Sequence, residues 1–412
     1  MSLTTDTSES IAVITAPPPG FNPGMLVSEL AARAFCERNG LAEATTYFRV
    51  VSIDERMAHR DEDARRTALA RCDVGMRFER LDGTDSLAGS RPLYWGDFLH
   101  MRQYLETISR IRARSGRGGS AEEILLLAGA KPELVAKAVS LGTTLLFNTA
   151  SDLVDPAYGP QLAAFARGAR AILVRDVVSA GQLADLTERP QDSFLGIDAA
   201  QLVTLLSDWR ELFGPATRLG LEDERFGVAF FARGDHRART LATILRRLAS
   251  GIGVAFRWLP WGDEAAFPQL ASLQRKLRLA PIGGVAPPLS TVIEAVARAR
   301  VVVTDTYHLA VIAWAIGTPA VLVPGQPSSG ERTVNAGHWR ARLDKRFVFY
   351  AQHGLLEFFL GDAIFADGAR LEPALESIAA AIADGGITAW HRDAVRRRAL
   401  WAEQRVLAAL RP

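Results

Sequence analysis

Short apolar runs alternate with amphipathic stretches along the first half of the chain. Ile11–Thr15 is apolar and ends in Ala-Pro-Pro-Pro-Gly, the pattern of a strand running into a loop. Met25–Glu37 sets Met25, Leu26, Leu30 and Ala34 at helical spacing and stops at Asn39-Gly40. Thr45–Ile53 is rich in β-branched and aromatic residues and predicts a second strand, and Ala58–Ala70 a charged, exposed helix. Tyr104–Ile111 and Leu134–Val139 predict helices, divided by a polar 114–120 loop that reads as a solvated connector. Thr143–Phe147 predicts a buried strand and Tyr158–Arg167 a helix. Ala171–Val174 predicts a strand and Ser179–Leu186 a helix.

The alternation fades over residues 200–224 and then restarts. Gly227–Ala232, Gly253–Leu259, Val301–Val303 and Ala320–Val323 predict strands. Between them, Ala238–Ala249, Glu264–Leu277, Ser290–Arg298 and Tyr307–Ile316 predict helices, and Leu355–Leu410 is largely helical. Strand–helix alternation implies parallel sheets with helices on both faces. The expected fold is therefore α/β, with two Rossmann-like domains facing across a cleft in the manner of a GT-B fold. The expected division is 1–210, 211–385 and a C-terminal helix, 386–412, that docks back on the N-terminal domain. Ligands of such folds sit at the carboxyl ends of the strands.

The segment Ala299–Pro324 is the most informative. A buried strand ends at Thr304-Asp305, either of which can cap the helix Tyr307–Ile316. Gly317 stops that helix and Pro319 prevents its continuation. Thr306 and His308 fall in the first turn, where free amides and the helix dipole favour an anion.

Thr304-Asp305-Thr306-Tyr307-His308, then Ala313 and Gly317-Thr318-Pro319, resembles the motif of polysaccharide pyruvyl transferases. Asn22-Pro23-Gly24, Ala171–Asp176 with Ser179 and Leu183, and Gly196–Ala199 are similar to further segments of that family, in the same order. Thr306 stands where many members carry arginine, and the turn at 196–199 lacks their prolines. The resemblance implies transfer of pyruvate from phosphoenolpyruvate onto two hydroxyls of a sugar, in a surface glycan or glycolipid. His308 would then be the general acid/base. Arg175, Arg233, Thr306, Ser328 and Arg332 would bind the donor. Asn22, Gly24, Trp95, Asp97 and Asn148 would bind the acceptor, a sugar or lipid-linked oligosaccharide. Trp95 and Asp97 stand in an aromatic-rich stretch, Arg91–His100, read as a loop entering a helix. There they form a sugar platform or, alternatively, a core tryptophan and a helix cap.

Composition narrows the remaining classes. Of 48 basic residues only Lys131, Lys137, Lys276 and Lys345 are lysines, and the net charge is +2, too mild for a nucleic-acid-binding face. The two cysteines, Cys36 and Cys72, imply no disulfide framework. The histidines lack metal-ligand spacing, and no dinucleotide fingerprint follows a strand, so neither metal nor cofactor is expected. The polar start MSLTTDTSES does not read as a signal peptide, and no apolar run reaches the ~20 residues of a membrane span. The expectation is a cytoplasmic protein, with the inner membrane face as a peripheral site of work. Two other readings fit the same fold: a GT-B glycosyltransferase using a nucleotide sugar, and a non-catalytic member of a glycan-assembly complex.

Overall fold

The computed structural model describes residues 9–411 except 19, 97, 147, 149, 207, 214–218, 220–223, 233–236, 263–267, 285, 324–333, 337–338, 342–343 and 366. Six parallel strands form the first sheet: β1 (Ser10–Thr15), β2 (Thr45–Arg49), β3 (Glu79–Arg80), β4 (Ser90–Trp95), β5 (Val139–Leu141) and β6 (Ala171–Leu173). Their order, β3-β2-β1-β4-β5-β6, is the Rossmann order, which reverses direction between β1 and β4. The second sheet contains β7 (Phe226–Phe230), β8 (Ala255–Trp258), β9 (Val302–Thr304) and β10 (Ala320–Leu322). It runs β10-β9-β7-β8, again all parallel, and reverses between β7 and β9. The two sheets confirm the GT-B-like α/β architecture.

Four helices of the first half matter to the space between the sheets: α1 (Pro23–Arg38), α2 (Ile53–Met57), α3 (Glu62–Arg71) and α4 (Arg102–Arg114). Proline opens α1, and α2 starts on a reciprocal Ser52–Glu55 capping box. The Tyr307–Ile316 helix is apolar on nearly every side, which suits a helix enclosed all round. It lies between its own sheet, α1, the 3₁₀ segment Ala199–Leu205 and the C-terminal helix Gly386–Leu410. That last helix crosses back as expected. It turns Val395, Ala399, Val406 and Leu410 inward, and Glu403 pairs with Arg38 of α1. Arg405 donates to the carbonyls of Ser193 and Leu195.

Three sequence expectations need correction. The Arg91–His100 stretch is strand β4 for its first half, not a loop. Pro92 hid it, yet β4 pairs with β5 only from Leu93 onward, so the proline precedes that ladder. The buried strand expected at Thr143–Phe147 is Val139–Leu141 instead, and the helix before it ends at Val135. The 114–120 loop is not a free connector. Arg112 is buried, and its guanidinium donates to the carbonyls of Val50, Leu81, Asp82, Gly118 and Gly119. Arg117 pairs with Glu55 and Asp82.

Candidate active site between the two sheets

The reversal points of the two sheets face each other, and a cavity of about 790 Å3 opens between them. Gly20, Phe21 and Asn22 follow β1; Phe230 ends β7 and Ala232 follows it; Trp261 and Gly262 follow β8; Thr306 follows β9. This is where parallel α/β sheets place ligands, because the chain diverges to either side there and leaves a crevice.

The walls differ in chemistry. On the N-terminal side, Arg56, His59 and Arg60 come from the end of α2 and the loop after it. Thr107, Arg110, Ile111 and Arg114 form one face of α4. On the C-terminal side stand Phe230, Trp261, Leu270 and Gln269, with the start of the Tyr307–Ile316 helix at Thr306. No carboxylate occurs among the described lining residues. Thr306 is the N-cap, and its own side chain makes no capping hydrogen bond. Neither Thr304 nor Asp305 caps this helix: Thr304 Oγ1 accepts from the Thr306 amide, and Asp305 Oδ1 accepts from the Ala232 amide. The start of this helix, with its dipole, is a place that favours an anion.

Behind Thr306 the two halves meet in a second cluster. His308 packs so closely on α1 that a Cβ on Gly24 would lie 2.2 Å from the His308 Cβ. Arg175 is buried; it pairs with Asp198 at 3.3 Å and donates to His308 Nε2 at 3.5 Å. Its guanidinium lies 4.6 Å from the centre of the Tyr307 ring, and the Lys345 amine lies 5.0 Å from the same point. An arginine only donates, so Nε2 accepts and the imidazole is neutral. Burial, then the charges of Arg175 and Lys345, push the His308 pKa well below its ordinary value. Burial likewise raises the Tyr307 hydroxyl well above its own, against the opposing charge of Arg175.

The residues expected at the site therefore divide. Asn22 and Thr306 line the cavity. Gly24, Arg175 and His308 meet at the contact between the halves, with Asp198 of the fourth family-like segment. Arg175, expected to bind the donor, is buried at this contact. Trp95 is 1% exposed: it packs on Phe35 at 5.2 Å between ring centres and donates to the Ser28 carbonyl. It offers no face to a sugar and belongs to the core. Asn148 is also enclosed, donating to the Tyr158 hydroxyl and accepting from the Arg102 amide. Asp97, Arg233, Ser328 and Arg332 lie outside the described residues.

Lys345, Trp261 and the arginines of α2 and α4 did not stand out in the sequence. The signal for the last was present: Thr107, Arg110, Ile111 and Arg114 share one helical face. Among the described residues, no cluster of His, Cys, Asp or Glu is placed to hold a metal ion, and no helix is long and apolar enough to cross a membrane.

No family model and no curated protein sequence matches the chain. Solved structures do match in arrangement. The S. aureus MnaA–UDP complex aligns over 97% of this chain and 95% of its own, with 9% identity and a TM-score of 0.48. The UDP-GlcNAc 2-epimerase from Neisseria meningitidis bound to UDP-GlcNAc covers 97% and 99%, with 10% identity and a TM-score of 0.49. The glycotransferase of kitacinnamycin covers 98% and 99%, with 14% identity and a TM-score of 0.41. Identities and scores this low transfer no activity to this chain.

Proposed function

We propose that the chain is a sugar transferase of GT-B type whose cavity holds a sugar linked to a diphosphate, a nucleotide sugar as donor. The cavity carries the reading. It lies at both reversal points, it is of the size that encloses a whole ligand of this kind, and it is lined by Phe230, Trp261 and the start of the Tyr307–Ile316 helix. In the reaction, an acceptor hydroxyl oxygen attacks the anomeric carbon and releases its proton to water. The bond from that carbon to the diphosphate breaks, and the diphosphate leaves with the electron pair. Amides at Thr306 and beyond stand where the leaving charge develops, which is the usual way such charge is stabilised.

A second reading, pyruvyl transfer, is favoured by one specific observation: Gly24, Arg175, Asp198 and His308, from the four family-like segments, meet at one place. In it, phosphoenolpyruvate sits against Arg175 and Lys345, and the cavity holds the acceptor sugar. An anion bound there would offset those two cations and raise the His308 pKa, against the burial that is the largest cause of its lowering.

Thermal unfolding with UDP-glucose, GDP-mannose and phosphoenolpyruvate in parallel separates the two. A ligand at 100 times its Kd adds about 2.7 kcal/mol. Stabilisation by a nucleotide sugar alone supports glycosyl transfer; stabilisation by phosphoenolpyruvate alone, lost in His308→Gln, replaces it with pyruvyl transfer. Silence from all three removes both.

A further inference from the structure

We infer that the α2–α4 wall is a separate subsite for an oxyanion, so that the acceptor is itself an acid: a sugar bearing a phosphate or a carboxylate. The word acceptor rests on the transferase reading; the subsite does not.

Counter-charge sets this wall apart. Several arginines elsewhere in this half are matched to carboxylates: Arg49 to Glu29, Arg91 to Glu9, Arg117 to Glu55 and Asp82. Three arginines of the cavity wall are held otherwise. Arg56 donates to the Pro17 carbonyl and lies over the Tyr104 ring at 5.7 Å. Arg110 donates to the Glu106 carbonyl and to Thr107 Oγ1. Among the described residues, Arg56, Arg110 and Arg114 have no carboxylate within ion-pair distance.

Glu106 sits one turn before Arg110, the spacing at which such pairs form on a helix. Its carboxylate is instead bound to Arg102 at 3.0 Å, and Arg102 also holds Asp152 and Asp155. The carboxylate at helical spacing from Arg110 is thus committed elsewhere.

Like charges gathered on one concave wall repel one another, and they raise the local concentration of anions. Guanidinium forks bind phosphate and carboxylate through paired hydrogen bonds, a geometry that neutral hydroxyls do not match. The wall and the helix start at Thr306 line the same cavity but come from different halves of the chain, two separate anion-favouring features. A donor diphosphate at Thr306 leaves the arginines for the second substrate.

The test uses calorimetric titration of the full chain and of the Arg110→Ala/Arg114→Ala double variant. Both side chains are exposed on a helix surface, so unliganded melting temperatures should agree. The probes are glucose, glucose 1-phosphate, glucuronate and UDP-glucose. The wild type should bind glucose 1-phosphate or glucuronate about tenfold or more tightly than glucose, and the variant should lose that margin, since charge-assisted pairs are of this strength. Which of the two binds tells phosphate from carboxylate. UDP-glucose affinity should stay unchanged.

Equal binding of the acids by variant and wild type would overturn the inference. So would loss of UDP-glucose in step with the acids, which would assign the arginines to the donor. If UDP-glucose fails to bind either protein while the acids still depend on the arginines, the nucleotide-sugar reading falls and the oxyanion subsite stands.

Discussion

Gly24 and His308 touch through the atom that Gly24 lacks. A Cβ there would fall 2.2 Å from His308 Cβ and 2.6 Å from Cγ. Both residues sit in the first turn of a helix, so two helix starts from different halves abut. Neither atom belongs to a flexible side-chain tip, so relief requires one helix to move. Gly24→Ala is therefore expected to cost about 1–3 kcal/mol, the range for overpacked cores. Urea denaturation measures it; an alanine as stable as the wild type would show that the helices part freely.

The electrostatics of the same contact can be read from His308. Its pKa is held well below the ordinary value by burial first, Arg175 next and Lys345 third. Removing one cation must raise it. In Lys345→Met, the His308 ring signals followed by NMR should titrate at higher pH than in the wild type. An unchanged titration would mean that Lys345 does not act on the ring, and would take it out of the donor site of the pyruvyl reading.

Much of the architecture was legible because parallel strands are continuous apolar runs, and Gly or Pro marks their ends. Val302–Thr304 and Tyr307–Ile316 stand out in the sequence for that reason. The misses have physical causes. Pro92 argues against a strand until the pairing with β5 is known. Val139–Leu141 and the 143–146 stretch after it are both buried, and only the sheet partner says which one is the strand. The site was harder to see. Trp95 looks like a sugar platform in one dimension, and only burial shows that it is core. Arg110 looks paired to Glu106 at helical spacing, while the fold gives that carboxylate to Arg102. Arg56 and Arg114 are far apart in sequence, and nothing local announces that they share a wall.

Acid should unfold this protein early. Burial holds His100 at about 3 and His391 at about 4, and pushes His308 and His353 well below normal. In the unfolded chain each takes a proton near pH 6.5, so the stability from keeping them neutral is present above that pH. It is lost as pH falls, by about 1.4 kcal/mol per unit for each histidine. His391 is the best single probe. It is fully buried against Trp314 and His353, Arg398 lowers it further, and neither ring nitrogen has a partner among the described residues. Replacing it by leucine removes an unsatisfied polar group, worth about 1–3 kcal/mol. His391→Leu should be more stable than the wild type at pH 7, and its stability should fall less steeply between pH 6.5 and 4.5. A wild-type slope in the variant would place the acid sensitivity elsewhere.

Arg71 fastens the two halves beside the cavity. It ends α3, and its guanidinium donates to three carbonyls of the other half, Pro260, Gly262 and Pro287, at 3.2, 3.4 and 3.2 Å. It also lies over the ring of Phe21 at 3.5 Å, and Phe21 and Gly262 both line the cavity. Carbonyl acceptors in three directions suit a planar fork and not a single ammonium point. Arg71→Ala and Arg71→Lys should therefore both lose most of the contact, about 1.5–3 kcal/mol by the scale of hydrogen bonds to charged groups. The informative readout is local. Hydrogen exchange should speed up at the amides of Leu259 and Trp261, which follow β8, while strands β1 and β7 keep their protection. Uniformly faster exchange would mean that Arg71 supports global stability alone. Unchanged exchange would mean that the halves are held together by the Gly24–His308 contact and the C-terminal helix without it.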